Sequence, residues 1–94
     1  MIRPMTPERA EIIGLQALAF IAEDTQAISG LLNNSGLGPQ TLKQAAQEPA
    51  FLAGVLDFLL HNEDRLISFC EQYDLPPQTP ARAYAALTGE PVAF

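Results

Sequence analysis

The chain has 94 residues, of which 48% are apolar and 17% are charged, and its 11 acidic and five basic residues give a net charge of −6. This length predicts one domain, residues 1–94, and the apolar fraction is that of a globular domain rather than of an acidic disordered tail. The acidic charge excludes a typical nucleic-acid-binding surface. No run of about 18 apolar residues is present, so we expect no membrane-spanning segment.

The cysteine content and the N-terminus bear on the compartment. Cys70 is the only cysteine, so no intramolecular disulfide can form, which is typical of cytoplasmic proteins. The apolar segment 12–22 follows Arg3 and is similar to a secretory leader, which is the alternative. Glu8 and Glu11 interrupt that pattern and favour a half-buried helix. We therefore predict a cytoplasmic protein.

The first half of the chain predicts three helices. Thr6, Pro7 and Glu8 form a typical helix start, and the apolar positions that follow recur at steps of three and four: Ile13, Ala17, Phe20 and Ile21. Asp24 is expected to cap a second helix. Gly36 is expected to end it, with Leu37 as the hydrophobic residue of a Schellman ending. A third, short helix is expected to open at Pro39.

The second half predicts three more helices. The fourth helix, Pro49–Leu60, is apolar around most of its circumference and is expected to lie at the centre of the bundle. Asn62 is expected to cap a fifth helix, whose apolar positions are Leu66, Ile67, Phe69, Cys70 and Tyr73. Thr79 and Pro80 repeat the threonine-proline start for a last helix that stops at Gly89, and residues 90–94 form a tail. No window alternates with a period of two, so the predicted fold is an all-α bundle of about six short helices.

The two halves of the chain are similar to each other. A shift of 38 residues lays Ala17–Glu48 over Val55–Ala86 without a gap, with identities at Leu18, Phe20, Leu37, Pro39, Gln40, Thr41 and Ala45. The alternative is a chance match between two amphipathic helical segments. We favour a duplication of a three-helix unit whose copies pack with pseudo-twofold symmetry.

The same residues resemble a known family. The stretch Pro49–Cys70, together with Ala17–Ala22 and Ser35–Pro39, is similar to a bacterial family catalogued as domain of unknown function 3572. The resemblance covers residues 8–87. It implies a small bacterial cytosolic helical protein, and it implies no activity, cofactor or catalytic residue.

Asp57 and His61 form the most unusual pair of side chains. Asp57 is a lone acid within the apolar fourth helix, and His61 lies four residues later on the same face. One interpretation is an acid/base pair or half of a metal site, which would support a small-ligand or metal-dependent activity. Other interpretations are a solvent-exposed ion pair, which we favour, and a carboxylate that caps a neighbouring helix. No further ligand has a suitable spacing, so we expect neither a metal nor another cofactor.

Small residues mark the same helix face. Ala50 and Gly54 stand four residues apart, and a glycine inside a helix costs about 1 kcal/mol relative to alanine. A close helix crossing within the domain would compensate for this cost, and a subunit contact is the alternative. Ala10 and Gly14 show the same step in the first helix.

No motif in the sequence specifies a reaction. Cys70 occupies an apolar helix position and is expected to be a buried thiol rather than a nucleophile. The chain lacks a glycine-rich phosphate loop, a His-Glu-x-x-His motif and a Gly-x-Ser-x-Gly motif. Catalytic activity is left open, and a non-catalytic protein-interaction module is favoured, with a protein partner or a homodimer and no nucleic acid. The alternatives are an activity centred on Asp57 and His61 and a self-associating structural protein.

Overall fold

The structure, a computed structural model, describes residues 5–36 and 38–89. Within these ranges the chain forms six α-helices and no strand: α1 (Pro7–Ala22), α2 (Thr25–Ser35), α3 (Leu42–Ala45) preceded by a 3-10 turn (Pro39–Thr41), α4 (Pro49–Leu60), α5 (Glu63–Gln72) and α6 (Thr79–Thr88). The predicted all-α bundle is confirmed. The predicted tail, residues 90–94, lies outside the described residues.

Side-chain caps begin the helices where the sequence predicts them. The Thr6 hydroxyl accepts a hydrogen bond from the Arg9 backbone N–H at 3.2 Å. The Asp24 carboxylate accepts from two backbone N–H groups at the start of α2, and the Asn62 side chain accepts from the Arg65 N–H at 3.1 Å. These bonds satisfy N–H groups that have no partner within the helix.

Residues in the left-handed backbone conformation, with positive φ, end three of the helices. Gly36 and Gly89 have φ of 72° and 73°, as expected for glycine stops. Asp74 adopts φ of 54° after α5, and the following Leu75 N–H donates to the Cys70 carbonyl at 2.8 Å, which is the long bond of a Schellman ending. At Gly36 the N–H donates to the Leu32 carbonyl at 2.9 Å, and the expected partner Leu37 lies outside the described residues.

Two local details differ from the sequence pattern. Helix α6 begins at Thr79, as the threonine-proline start predicts, but Thr79 is its first helical residue and not its cap; Gln78 holds the cap position and makes no side-chain capping bond. Ile67 is one of the apolar positions predicted for α5, and 49% of its surface is exposed. Turning α5 so that Phe69 and Cys70 enter the core carries Ile67 toward solvent.

The core is built around α4. Helix α6 packs against both α1 and α4, α2 packs against α1 and α4, and α5 packs against α4. The largest side chains that are fully buried come from four helices: Ile13, Ile21, Leu52, Val55, Leu56, Leu59, Phe69 and Pro80. The central position expected for α4 follows from its wide apolar surface.

The halves of the proposed repeat agree in part. The caps Asp24 and Asn62 and the left-handed residues Gly36 and Asp74 each stand 38 residues apart. The third helices differ, because α6 has ten residues and enters the core, whereas α3 has four and buries none. The duplication stays a prediction.

Candidate functional site

The exposed side of α4 brings together all four residues singled out in the sequence. Leu52, Ala53, Val55, Leu56 and Leu59 are buried, so α4 turns its opposite face toward solvent. Ala50 and Gly54 are exposed, and the side chains of Asp57 and His61 are 50% and 76% exposed. These four residues form a continuous stripe, which we call the α4 stripe.

A groove runs between the α4 stripe and helix α2. It has a volume of about 520 Å³, and the α4 stripe forms one side of it. The other lining residues are Leu31 and Asn34 of α2 and Phe51 and Phe58 of α4. Leu31 is buried, whereas both phenylalanine rings remain half-buried. We call this surface the α2–α4 groove.

The Phe58 ring lies close to helix α2 and to Arg65. A methyl group built on Gly30 would lie 3.4 Å from the ring edge of Phe58, so helix α2 approaches the ring closely because residue 30 is glycine. The guanidinium carbon of Arg65 lies 5.9 Å from the ring centroid, within the range of a cation–π interaction. The ring therefore forms part of the groove wall, next to α2 and Arg65.

Asp57 and His61 pair at the end of the stripe. The His61 Nδ1–H donates to the Asp57 backbone carbonyl at 2.7 Å, and Nδ1 lies 3.6 Å from the Asp57 carboxylate oxygen Oδ1. Because both side chains are at least half exposed, a pair of this kind contributes only about 0.3–0.5 kcal/mol. This geometry is that of a weak, solvent-exposed contact between two residues four positions apart on the helix.

The described residues contain no group of three or more His, Cys, Asp and Glu side chains that could hold a metal ion. The pair Asp57 and His61 offers two ligands at most. A structural zinc site needs four protein ligands and a catalytic site needs three. The geometry of the described residues thus provides no complete metal centre at this position.

The prediction of a close helix crossing at Gly54 is wrong. A methyl group built there would meet no atom within 4 Å. The close crossing occurs instead at Gly14, where the same methyl group would lie 2.9 Å from the Leu52 Cβ. Gly54 therefore serves no packing role within the described part of the chain, and a contact with another subunit or protein stays open as its explanation.

A second depression lies on the other side of the α4 stripe. It is lined by Ala53 of α4 and by Tyr84, Leu87 and Thr88 of α6, together with part of the stripe, and has a volume of about 480 Å³. The α4 stripe thus separates two depressions on the protein surface. Its small side chains leave both of them open.

Sequence reasoning indicated the aromatic wall of the groove only in part. Phe51 and Phe58 are apolar positions of the predicted central helix and, with Phe69, form the apolar excess that favours an interaction module, but the side chains from α2 were not singled out. The two phenylalanines are seven residues apart, so they share one face with Gly54 between them. That spacing was the available indication.

Cys70 does not take part in this site. Its side chain is buried, and its thiol lies 3.8 Å from the Pro76 carbonyl. Burial raises the pKa of the Cys70 thiol and so keeps it protonated. The structure agrees with the buried thiol that the sequence predicted.

Fold and site together define a small α-helical bundle that carries an open, partly apolar groove. A family described as "Protein of unknown function (DUF3572)" matches residues 7–90. The chain belongs to this family, as the resemblance indicated. No curated protein and no solved structure shows a significant match to it.

Among the described residues, no helix combines the length and the hydrophobicity that a bilayer crossing requires. This agrees with the absence of a long apolar run in the sequence.

Proposed function

We propose that this protein is a non-catalytic protein-interaction module whose α2–α4 groove receives an amphipathic helix of another protein. The observation that carries the proposal is the pair of half-buried rings, Phe51 and Phe58, with the bare backbone of Gly54 between them. Aromatic rings left half-buried beside a backbone without a side chain provide apolar contact area that the fold itself does not use.

The spacing of the groove fits a helix. Phe51 and Phe58 are two helical turns apart, a distance of about 10.5 Å along α4. An amphipathic helix repeats its apolar anchors at the same interval, at positions i, i+3 or i+4, and i+7. Ala50 and Gly54 carry no side chain beyond Cβ, so the backbone of the bound helix can approach α4 closely.

The charge of the surface favours a partner with basic residues. Asp57 places a half-exposed carboxylate at the edge of the groove, and the chain as a whole has a net charge of −6. A lysine or arginine beside the apolar anchors of the partner would face Asp57. Such complementarity sets orientation and association rate more than affinity.

We also propose that the protein acts in the bacterial cytoplasm. The support for this is the single cysteine of the chain, Cys70, which leaves no disulfide to form, together with the resemblance to a bacterial family. Fractionation of the source cells with an antibody against the chain tests it. Recovery in the cytosolic fraction is expected, and recovery in a secreted or periplasmic fraction would contradict it.

The binding proposal is tested with displayed peptides. A library of amphipathic helical peptides is selected on the intact protein, and the affinity of each enriched peptide is measured by fluorescence anisotropy. Gly54→Gln projects a long side chain into the groove, at a position where an added Cβ meets no atom within 4 Å. Leu15→Gln is the matched control, because Leu15 is a 46% exposed residue of α1 outside the groove.

The expected result is that peptides are enriched and that Gly54→Gln weakens them by roughly tenfold or more, which corresponds to the loss of one apolar anchor. Leu15→Gln is expected to leave their affinity unchanged. Failure to enrich any peptide, or equal binding by both variants, would contradict the proposal.

Direct measurements distinguish this proposal from two other functions, self-association and a metal-dependent activity. Light scattering at two concentrations is expected to give a monomer; a concentration-dependent dimer that Gly54→Gln abolishes would assign the groove to a second copy. Calorimetric titration with Zn²⁺ is expected to show no stoichiometric binding. Tight binding that is lost in Asp57→Asn would favour a metal-dependent activity.

A further inference from the structure

We propose that α5 carries a second docking surface, the α5 groove, which binds a basic amphipathic segment of a partner protein. The groove has a volume of about 520 Å³. Leu66, Ile67 and Leu75 supply apolar surface, and Glu63, Glu71 and Asp74 supply carboxylates. It shares no lining residue with the α2–α4 groove, so this proposal does not depend on the first one.

The apolar part of the groove is accessible. Ile67 is 49% exposed, one of three large hydrophobic side chains with such exposure among the described residues. Leu66 and Leu75 are half-buried and pack against the core. An incoming apolar side chain can therefore cover Ile67 and rest on surface that is already ordered.

Two of the carboxylates lie where they oppose the stability of the helix. Glu71 stands in the last turn of α5, and Asp74 follows its end, where the helix dipole favours positive charge. No basic residue is present in that last turn. Asp74 also adopts φ of 54°, a conformation that suits glycine better. Residues that break local rules of stability are commonly placed for function.

The charges of the groove identify its occupant. Glu63, Glu71 and Asp74 are all exposed, and no lysine or arginine is among the described residues that line the groove. A segment with lysine or arginine on both sides of an apolar face meets the carboxylates and covers Ile67 at the same time. An acidic or purely apolar segment would leave the carboxylates unpaired.

Arg65 and Ile67 lie on opposite sides of α5. Arg65 turns toward Phe58 in the wall of the α2–α4 groove, and Ile67 lies two residues further on. Residues two apart on an α-helix are separated by about 200° around its axis. One protein can therefore occupy each groove independently.

The probe for the test is a synthetic peptide of about 14 residues composed of leucine and lysine, with the leucines on one helical face. Its affinity for the intact protein is measured by calorimetry or anisotropy at low and high salt. A peptide of the same pattern with glutamate in place of lysine is the control for the ligand, and is expected not to bind.

Two variants with equal net charge control for the overall field of the protein. One neutralises the groove, through Glu63→Gln, Glu71→Gln and Asp74→Asn. The other neutralises three carboxylates elsewhere, through Glu8→Gln, Glu11→Gln and Glu48→Gln. Circular dichroism verifies that both retain their helical content.

The groove variant is expected to bind the lysine peptide about tenfold more weakly than the control variant, and added salt is expected to remove most of that difference. All of these proteins carry Gly54→Gln, which blocks the α2–α4 groove, because that groove would accept a basic amphipathic helix as well. In this background Ile67→Ser is expected to weaken binding. Equal weakening in both triple variants would show attraction to the overall charge and would overturn the proposal. Absence of binding in the Gly54→Gln background would overturn it too.

Discussion

Gly14 of α1 lies directly against Leu52 of α4, so close that a methyl group on residue 14 would be 2.9 Å from the Leu52 Cβ. Leu52 is buried, and its Cβ belongs to the part of the side chain that cannot turn aside. The contact brings together the two longest helices of the described chain. Residue 14 therefore sets how closely α1 and α4 pack.

The first prediction compares Gly14→Ala with Gly54→Ala. Both changes gain the same helix propensity, about 1 kcal/mol, because both glycines lie inside helices. Only Gly14→Ala meets a buried side chain, so it is expected to be less stable than Gly54→Ala by roughly 1–3 kcal/mol, the usual cost of overpacking. Urea unfolding of the two variants measures this difference. Equal stability would show that α1 and α4 can separate without cost.

The second prediction concerns the core. Leu56 is fully buried and Leu15 is 46% exposed, so the same truncation is made in two environments. Leu56→Ala is expected to lower the free energy of unfolding by about 2–5 kcal/mol, whereas Leu15→Ala is expected to change it by less than about 1 kcal/mol. The change is measured by chemical denaturation followed by circular dichroism. Comparable losses in both variants would contradict the placement of α1 and α4.

The third prediction concerns Asp57. Its carboxylate is half exposed, and one of its oxygens lies 3.6 Å from the His61 Nδ1. Asp57→Asn is therefore expected to change the free energy of unfolding by no more than about 0.5 kcal/mol. Thermal unfolding of this variant at neutral pH provides the measurement. A loss above about 2 kcal/mol would instead indicate a buried, hydrogen-bonded carboxylate.

The fourth prediction concerns the pH dependence of Cys70 reactivity. Burial raises the pKa of its thiol, and the thiolate is the reactive form. Alkylation of the native protein by iodoacetamide is thus expected to be slower than that of the unfolded protein at neutral pH, and its rise with pH to begin at higher pH. Mass spectrometry of timed samples with and without urea measures both rates. Equal rates would show that the thiol is accessible in the native state.

Local features of the fold could be predicted well from the sequence. The caps Thr6, Asp24 and Asn62 and the stops Gly36 and Gly89 bound the helices as expected. Each depends on a side chain or a backbone angle within a few residues of the helix end. Such interactions do not require the rest of the chain to be in place.

The candidate site could be predicted only in part. The spacing of Ala50, Gly54, Asp57 and His61 placed them on one face of α4, and the structure confirms that they lie together. The other wall of the α2–α4 groove includes Leu31 of α2, which is 19 positions before Ala50 in the chain. Periodicity within one helix cannot indicate which helix packs beside it.

The sequence by itself determined the helices, their ends and the face of α4 on which the unusual residues lie, because these depend on neighbours along the chain. The tertiary structure alone decided that Gly14, and not Gly54, permits the close crossing, and that Ile67 faces solvent. Both outcomes follow from the angles at which α1, α4 and α5 pack. Those angles depend on buried side chains that are distant in sequence from their neighbours, such as Leu52 of α4, which lies against Gly14 of α1, and Phe69 of α5, which packs in the core with residues of α1 and α4.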